Sequence, residues 1–80
     1  MEKSDVLKIV NEVFIETLDN KDIVLNYDTT AKDVEDWNSL NHVQLVVAIE
    51  KQFKIRFTSK EFYSWKNVGE MLDSIVAKSK

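Results

Sequence analysis

The chain has no cysteine, no proline and one glycine, at position 69. Without cysteine there is no disulfide framework and no thiolate metal site. With one glycine and no proline, tightly turned β-hairpins, collagen-like repeats and glycine-rich phosphate loops are excluded as organising features. No apolar stretch approaches the ~20 residues of a membrane span, and no positively charged start leads into an apolar run. The excess of acids over bases, a net charge of −3, argues against nucleic acid as a partner. What is present is a globular balance, 44 % apolar and 31 % charged residues in an 80-residue chain. This predicts one helical, cytoplasmic domain over residues 1–80, and a monomer is the expected state. A core of this size contributes only about 3–5 kcal/mol net, too little to support a deep catalytic cleft as well.

The charge is unevenly spread. Residues 1–38 hold ten acids and four bases, whereas residues 39–80 hold four acids and seven bases. Between Phe53 and Lys66 the bases Lys54, Arg56, Lys60 and Lys66 face one acid, Glu61. Such bipolarity suits oriented contact with partners as well as it suits plain solvation.

Four segments carry helical periodicity. Val6, Leu7, Ile9, Val10, Val13, Phe14 and Leu18 recur at three- and four-residue spacing, with Ser4 or Asp5 able to cap the start. The pattern fades at Asp19-Asn20-Lys21-Asp22. A long connection over 23–38 follows, and Ile23, Val24, Leu25 and Tyr27 are apolar enough to pin it to a core. Within it, Thr30 and Asp33 have the spacing of a capping pair. From Ser39 to Phe53 the chain is apolar round most of a helix, through Leu40, Val43, Leu45, Val46, Val47, Ala48 and Ile49, which predicts a central helix buried among its neighbours. Thr58-Ser59-Lys60-Glu61 is a capping box opening a short helix that carries Phe62 and Trp65. Asn67-Val68-Gly69-Glu70 opens the last helix, with Val68, Met71, Leu72, Ile75 and Val76 on one face. The sum is an all-α four-helix bundle, three long helices and one short, with a long loop between the first and second.

Trp37-Asn38-Ser39-Leu40 sets a hydroxyl at the amino end of the most apolar helix. Unpaired backbone N–H groups and the positive end of the helix dipole would stabilise an anion attached there. A capping role for Ser39 or Asn38 accounts for the same residues.

The run from Asp36 to Phe53, Asp36-Trp37-Asn38-Ser39-Leu40-Asn41-His42-Val43 onward to Ala48-Ile49-Glu50-Lys51-Gln52-Phe53, resembles the phosphopantetheine attachment region of acyl carrier proteins. That family shows Asp-Ser-Leu, an apolar helix with an aromatic near its end, a short extended piece (here Ile55-Arg56-Phe57) and a third helix. Asn67-Val68 stands where carrier proteins commonly show Thr-Val. The resemblance covers essentially the whole chain in helix order, loop length and size.

It implies an acyl carrier that is a substrate of other enzymes and not itself one. A phosphopantetheinyl transferase would attach 4′-phosphopantetheine to Ser39, and the terminal thiol would hold acyl groups delivered by a loading ligase and passed to acyl-processing enzymes. Asp36, Trp37, Asn38, Leu40, His42, Val43 and Glu50 would contact the arm or the partners. Two departures stand out: the family's aspartate before the serine is Asn38, and the second-helix face, typically acidic in fatty-acid-synthesis carriers, is nearly neutral, with Glu50 its one acid. Weaker electrostatic steering toward basic partners follows, and with it a specialised carrier with its own enzymes, in fatty-acid-like or polyketide-like biosynthesis. A helical interaction module without a prosthetic group is the competing reading, and Asn38 is the residue that favours it.

Phe62 and Trp65, set against Val43 and Val47, would fill the interior where other carriers leave room for a long acyl chain. That points to a short or polar cargo, or one held outside the bundle. Trp37 is either an exposed recognition residue or a plug anchoring the loop. His42, one turn after Ser39, reads as a surface residue able to touch phosphate or partner. A Ser39–His42 nucleophilic pair lacks an oxyanion hole and an orienting acid. Asp33, Glu35 and Asp36 are too few for a hard-ion cage, so no metal is expected.

Overall fold

A computed structural model describes residues 2–79. Four helices follow one another along the chain: α1 (Lys3–Leu18), α2 (Ser39–Phe53), α3 (Ser59–Ser64) and α4 (Val68–Lys78). There is no strand among the described residues.

Helix α1 begins two to three residues earlier than its candidate caps allow. Glu2 occupies the N-cap without a side-chain bond, and Ser4 and Asp5 already lie inside the helix. Asp5 still faces the positive end of the dipole. The other starts follow local rules. Asn38 caps α2, its Oδ1 accepting from the Asn41 amide at 2.9 Å. Thr58 and Glu61 close a reciprocal capping box on α3. Asn67 caps α4 by accepting from the Glu70 amide at 2.9 Å. Both α1 and α2 end on a left-handed residue, Asp19 (φ 52°) and Lys54 (φ 57°), a position that usually takes glycine. Trp65 sits beyond the end of α3 as its C-cap and is not part of that helix.

The hub of the bundle is α1, which packs against both α2 and α4; α2 is not the central element its apolar content predicts. The core gathers Val6, Val10 and Phe14 of α1, Leu45, Val46 and Ile49 of α2, and Val68, Met71, Leu72 and Ile75 of α4. Val43 and Val47, expected inside, are 40 % and 42 % exposed, and Leu40 is 75 % exposed. The apolar surplus of α2 therefore forms a strip on its outer face.

The connection 19–38 is held down at several points. Ile23, Leu25, Val34 and Trp37 are buried, whereas Val24 and Tyr27 face outward. Asn11 of α1 braces the near end: its Oδ1 accepts from the Leu25 amide and its Nδ2 donates to the Ile23 carbonyl at 3.1 Å. At the far side the Thr29 and Tyr27 carbonyls accept the first amides of α4, Val68 N at 2.8 Å and Gly69 N at 2.7 Å. Thr30 and Asp33 pair as their spacing predicts, the Thr30 amide donating to Asp33 Oδ2 at 2.9 Å. A loop pinned this way delivers residues 36–38 to the start of α2 at a fixed place.

Candidate functional site

The start of α2 combines an exposed hydroxyl with unpaired amides. Because Asn38 takes the capping role, Ser39 is released from it; Ser39 is exposed and its hydroxyl makes no hydrogen bond among the described residues. The Asn38 cap satisfies the Asn41 amide through its side chain and the His42 amide through its carbonyl at 2.8 Å. The amides of Ser39 and Leu40 keep no partner among the described residues. Those two donors and the dipole of a 15-residue helix create a positive potential where the hydroxyl stands. An anionic phosphodiester on Ser39 fits this environment.

The segment before the serine is stiff. Trp37 is only 6 % exposed and meets the Phe14 ring edge-on, with centroids 5.0 Å apart. Of the two roles open to it from sequence, Trp37 takes that of the plug. Asp36 is exposed, and its carbonyl accepts from Asn41 Nδ2 at 2.7 Å, which ties the last loop residues to the first turn of α2.

His42 is not the free surface residue the sequence suggests. It is half-buried, and both ring nitrogens are engaged: Nδ1 accepts from Trp37 Nε1–H at 3.0 Å, and Nε2 lies 2.7 Å from the Phe62 carbonyl. Glu50 is likewise occupied. Its Oε2 accepts from the Phe57 amide at 2.8 Å, so the one acid of α2 fastens the extended piece after the helix. Phe62 and Trp65 are half-buried and pack on the core from the α3 side. Trp65 crosses Phe57 edge-on and donates its Nε1–H to Ser74 Oγ at 2.9 Å. They do not face Val43 and Val47 across a closed interior, because those valines point outward.

A groove of about 210 Å³ runs beside the serine. Ser39, Asn38, Trp37 and His42 form one side, and Phe62, Tyr63, Trp65 and Lys66 the other, with Ala31 at the edge. Tyr63, Lys66 and Ala31 were not among the sequence candidates. The signal for Tyr63 is its aromatic ring next to Phe62 on a short helix, where the two ring centroids lie 4.6 Å apart. No group of three or more potential metal ligands converges among the described residues. No helix of the described residues is long and apolar enough to cross a membrane.

Comparison with known proteins agrees with this geometry. The family described as "Phosphopantetheine attachment site" matches residues 6–75. Among solved structures, the chain is similar to the solution NMR structure of a holo acyl carrier protein from Geobacter metallireducens. The identity is 36 % over 91 % of this chain and 84 % of that one, with a TM-score of 0.85. The family match overrides the reading as an interaction module without a prosthetic group. With the match spanning both the serine-bearing turn and the four helices around it, the chain belongs to the phosphopantetheine-attachment family of acyl carrier proteins, which bear 4′-phosphopantetheine covalently and are substrates of modifying and acyl-processing enzymes, not enzymes themselves.

Proposed function

We propose that Ser39 is the attachment residue. One observation carries this: Asn38 caps α2 in its place, so Ser39 presents an exposed hydroxyl beside two unpaired amides at the positive end of the helix. A phosphopantetheinyl transferase is the modifying partner. The Ser39 oxygen forms the new bond to the pantetheine-side phosphorus of coenzyme A, the pyrophosphate P–O bond breaks, adenosine 3′,5′-bisphosphate leaves, and the hydroxyl proton passes to the transferase. When bound, the group supplies a terminal thiol that holds acyl groups as thioesters. The chain's own part is to hold the phosphodiester with the Ser39 and Leu40 amides and to keep residues 36–38 fixed through Trp37 and Asn41.

The partners include a loading ligase and downstream acyl-processing enzymes, met through Leu40, Val43 and Val47 on the outer face of α2 with Asp36 and Asn38 at its edge. Since Glu50 is the one acid of that face and its other polar residues are neutral or basic, recognition rests on apolar contact more than on acid-to-base steering, which supports a specialised pathway. Phe62 and Trp65 are half-buried against the core, and the groove beside Ser39 holds only about 210 Å³, which supports a cargo that is short, polar or held outside the bundle. In this reading the carrier is a cytoplasmic monomer, where coenzyme A and its loading enzymes are at hand.

The test is intact-mass measurement after incubation with coenzyme A and a broad-specificity transferase. The expected result is a gain of one phosphopantetheinyl group in the native chain and none in Ser39→Ala. A gain that survives Ser39→Ala places the attachment elsewhere and overturns the assignment.

A further inference from the structure

Between Ser39 and the core stands one imidazole that joins three parts of the molecule. Trp37 Nε1 is a donor only, so His42 Nδ1 must be the acceptor of their 3.0 Å bond. The ring proton then resides on Nε2 and is donated to the Phe62 carbonyl at 2.7 Å. That carbonyl lies in the last turn of α3, where helical carbonyls have no partner of their own. Four rings surround the imidazole: Trp37, Phe62, Tyr63 and Trp65 lie with centroids 5.9–6.2 Å from its own.

Helix α3 has little else to hold it. It is six residues long and contains no fully buried residue. Among the described residues, its polar attachments to the rest of the bundle are the His42–Phe62 bond and the Glu61–Lys78 pair at 3.1 Å. The groove beside Ser39 is lined by residues of α2 and α3, and a path for a tethered acyl chain inward between those helices breaks the His42–Phe62 bond.

We propose that His42 is a clasp, a specificity-determining residue that keeps the α2–α3 cleft shut and confines the cargo to the surface groove beside Ser39. The proposal rests on the assignment of Ser39 and deepens it, since it names the residue that excludes a long alkyl chain from the interior. The one bond that crosses the cleft, His42 to Phe62, holds a two-state opening closed by about two- to tenfold, and the Trp37 bond fixes the ring that makes it.

The experiment compares the native chain with His42→Phe, which retains a ring of similar size without the nitrogens, and Trp37→Phe, which removes the donor to Nδ1 while keeping an aromatic ring against Phe14. Each is loaded with an eight-carbon acyl group from octanoyl coenzyme A and a broad-specificity transferase, and loading is verified by intact mass. Isotope-filtered NOEs then locate the chain, and hydroxylamine cleavage of the thioester, relative to an acetyl-loaded sample, reports its protection. In the native protein, NOEs confined to Tyr63, Trp37 and Lys66 are expected, with cleavage as fast as for acetyl. In both variants, NOEs to Leu45 and Val46 should appear and cleavage should slow severalfold. A native protein that already encloses the chain, or variants that both leave it outside, overturn the clasp. Absence of loading in the native chain overturns the Ser39 assignment beneath it, and mass distinguishes that failure from the other two.

Discussion

Replacing Gly69 with alanine tests whether the loop is held by the helix it touches. Gly69 has no unusual backbone angle, so its role is one of space. A Cβ built there would lie 2.9 Å from the Tyr27 carbonyl oxygen and 3.2 Å from Asn67 Oδ1. The first of these atoms accepts from the Gly69 amide, and the second caps α4 by accepting from the Glu70 amide. The Tyr27 oxygen is backbone, so relief requires the loop to withdraw, which lengthens the neighbouring Val68–Thr29 bond as well. Weakening three bonds worth about 1 kcal/mol each costs about 2–3 kcal/mol. Alanine's better helix propensity returns about 1 kcal/mol. The net is a destabilisation of about 1–2 kcal/mol, and in a domain of this size each kcal/mol lowers Tm by about 4–8 °C. Thermal unfolding followed by far-UV circular dichroism reads the shift directly. A Tm equal to or above that of the native chain would refute the reasoning, because it would mean that the loop contributes nothing to the start of α4 beyond what a free loop would.

Asn11→Ala removes both ends of the brace between α1 and the loop and leaves the Leu25 amide and Ile23 carbonyl without partners; a loss of about 2–3 kcal/mol in urea unfolding is expected, with Asn11→Asp, which keeps the acceptor, losing less. The Glu61 carboxyl titrates below its ordinary 4.5, chiefly because it accepts from the Thr58 amide and further because the Lys78 ammonium is bonded to it. A depressed folded-state pKa contributes stability that is present above the ordinary value and lost as the pH falls through the folded one. Acid titration of Tm should therefore show a decline below about 4.5 that is shallower in Glu61→Gln, and identical profiles would dismiss the capping box as its source.

Where sequence reasoning succeeded, the governing interaction is short. The bounds of α2, the Thr58–Glu61 box and the Asn67 cap each depend on residues three or four apart, so local chemistry determines them. The start of α1 is the exception, since backbone groups extend that helix past two good candidate caps to Glu2. What could not be read depends on partners brought together by the fold. His42 was assigned to the surface because its acceptor, the Phe62 carbonyl, lies twenty residues along the chain and is a main-chain atom with no sequence signature. Glu50 looked free for the same reason, its donor being the Phe57 amide.

The misplacement of Val43 and Val47 has a different origin. Periodicity identifies which residues share a face, and the inference that an apolar face is buried adds the assumption that the bundle has enough neighbours to cover it. Here α1 covers one side of α2, and α3 is too short to cover another, so Leu40, Val43 and Val47 remain outside. Three exposed aliphatic side chains on one helix are costly to a domain with so small a core, and nothing in the packing of α2 against α1 requires them. They lie on the same helix as the exposed Ser39 hydroxyl, and on the proposed function the cost is accounted for: a surface that meets several enzymes in turn keeps its apolar contacts in water between encounters. The rule that apolar means core thus fails on the outer face of α2, the face that the proposed function assigns to partner contact.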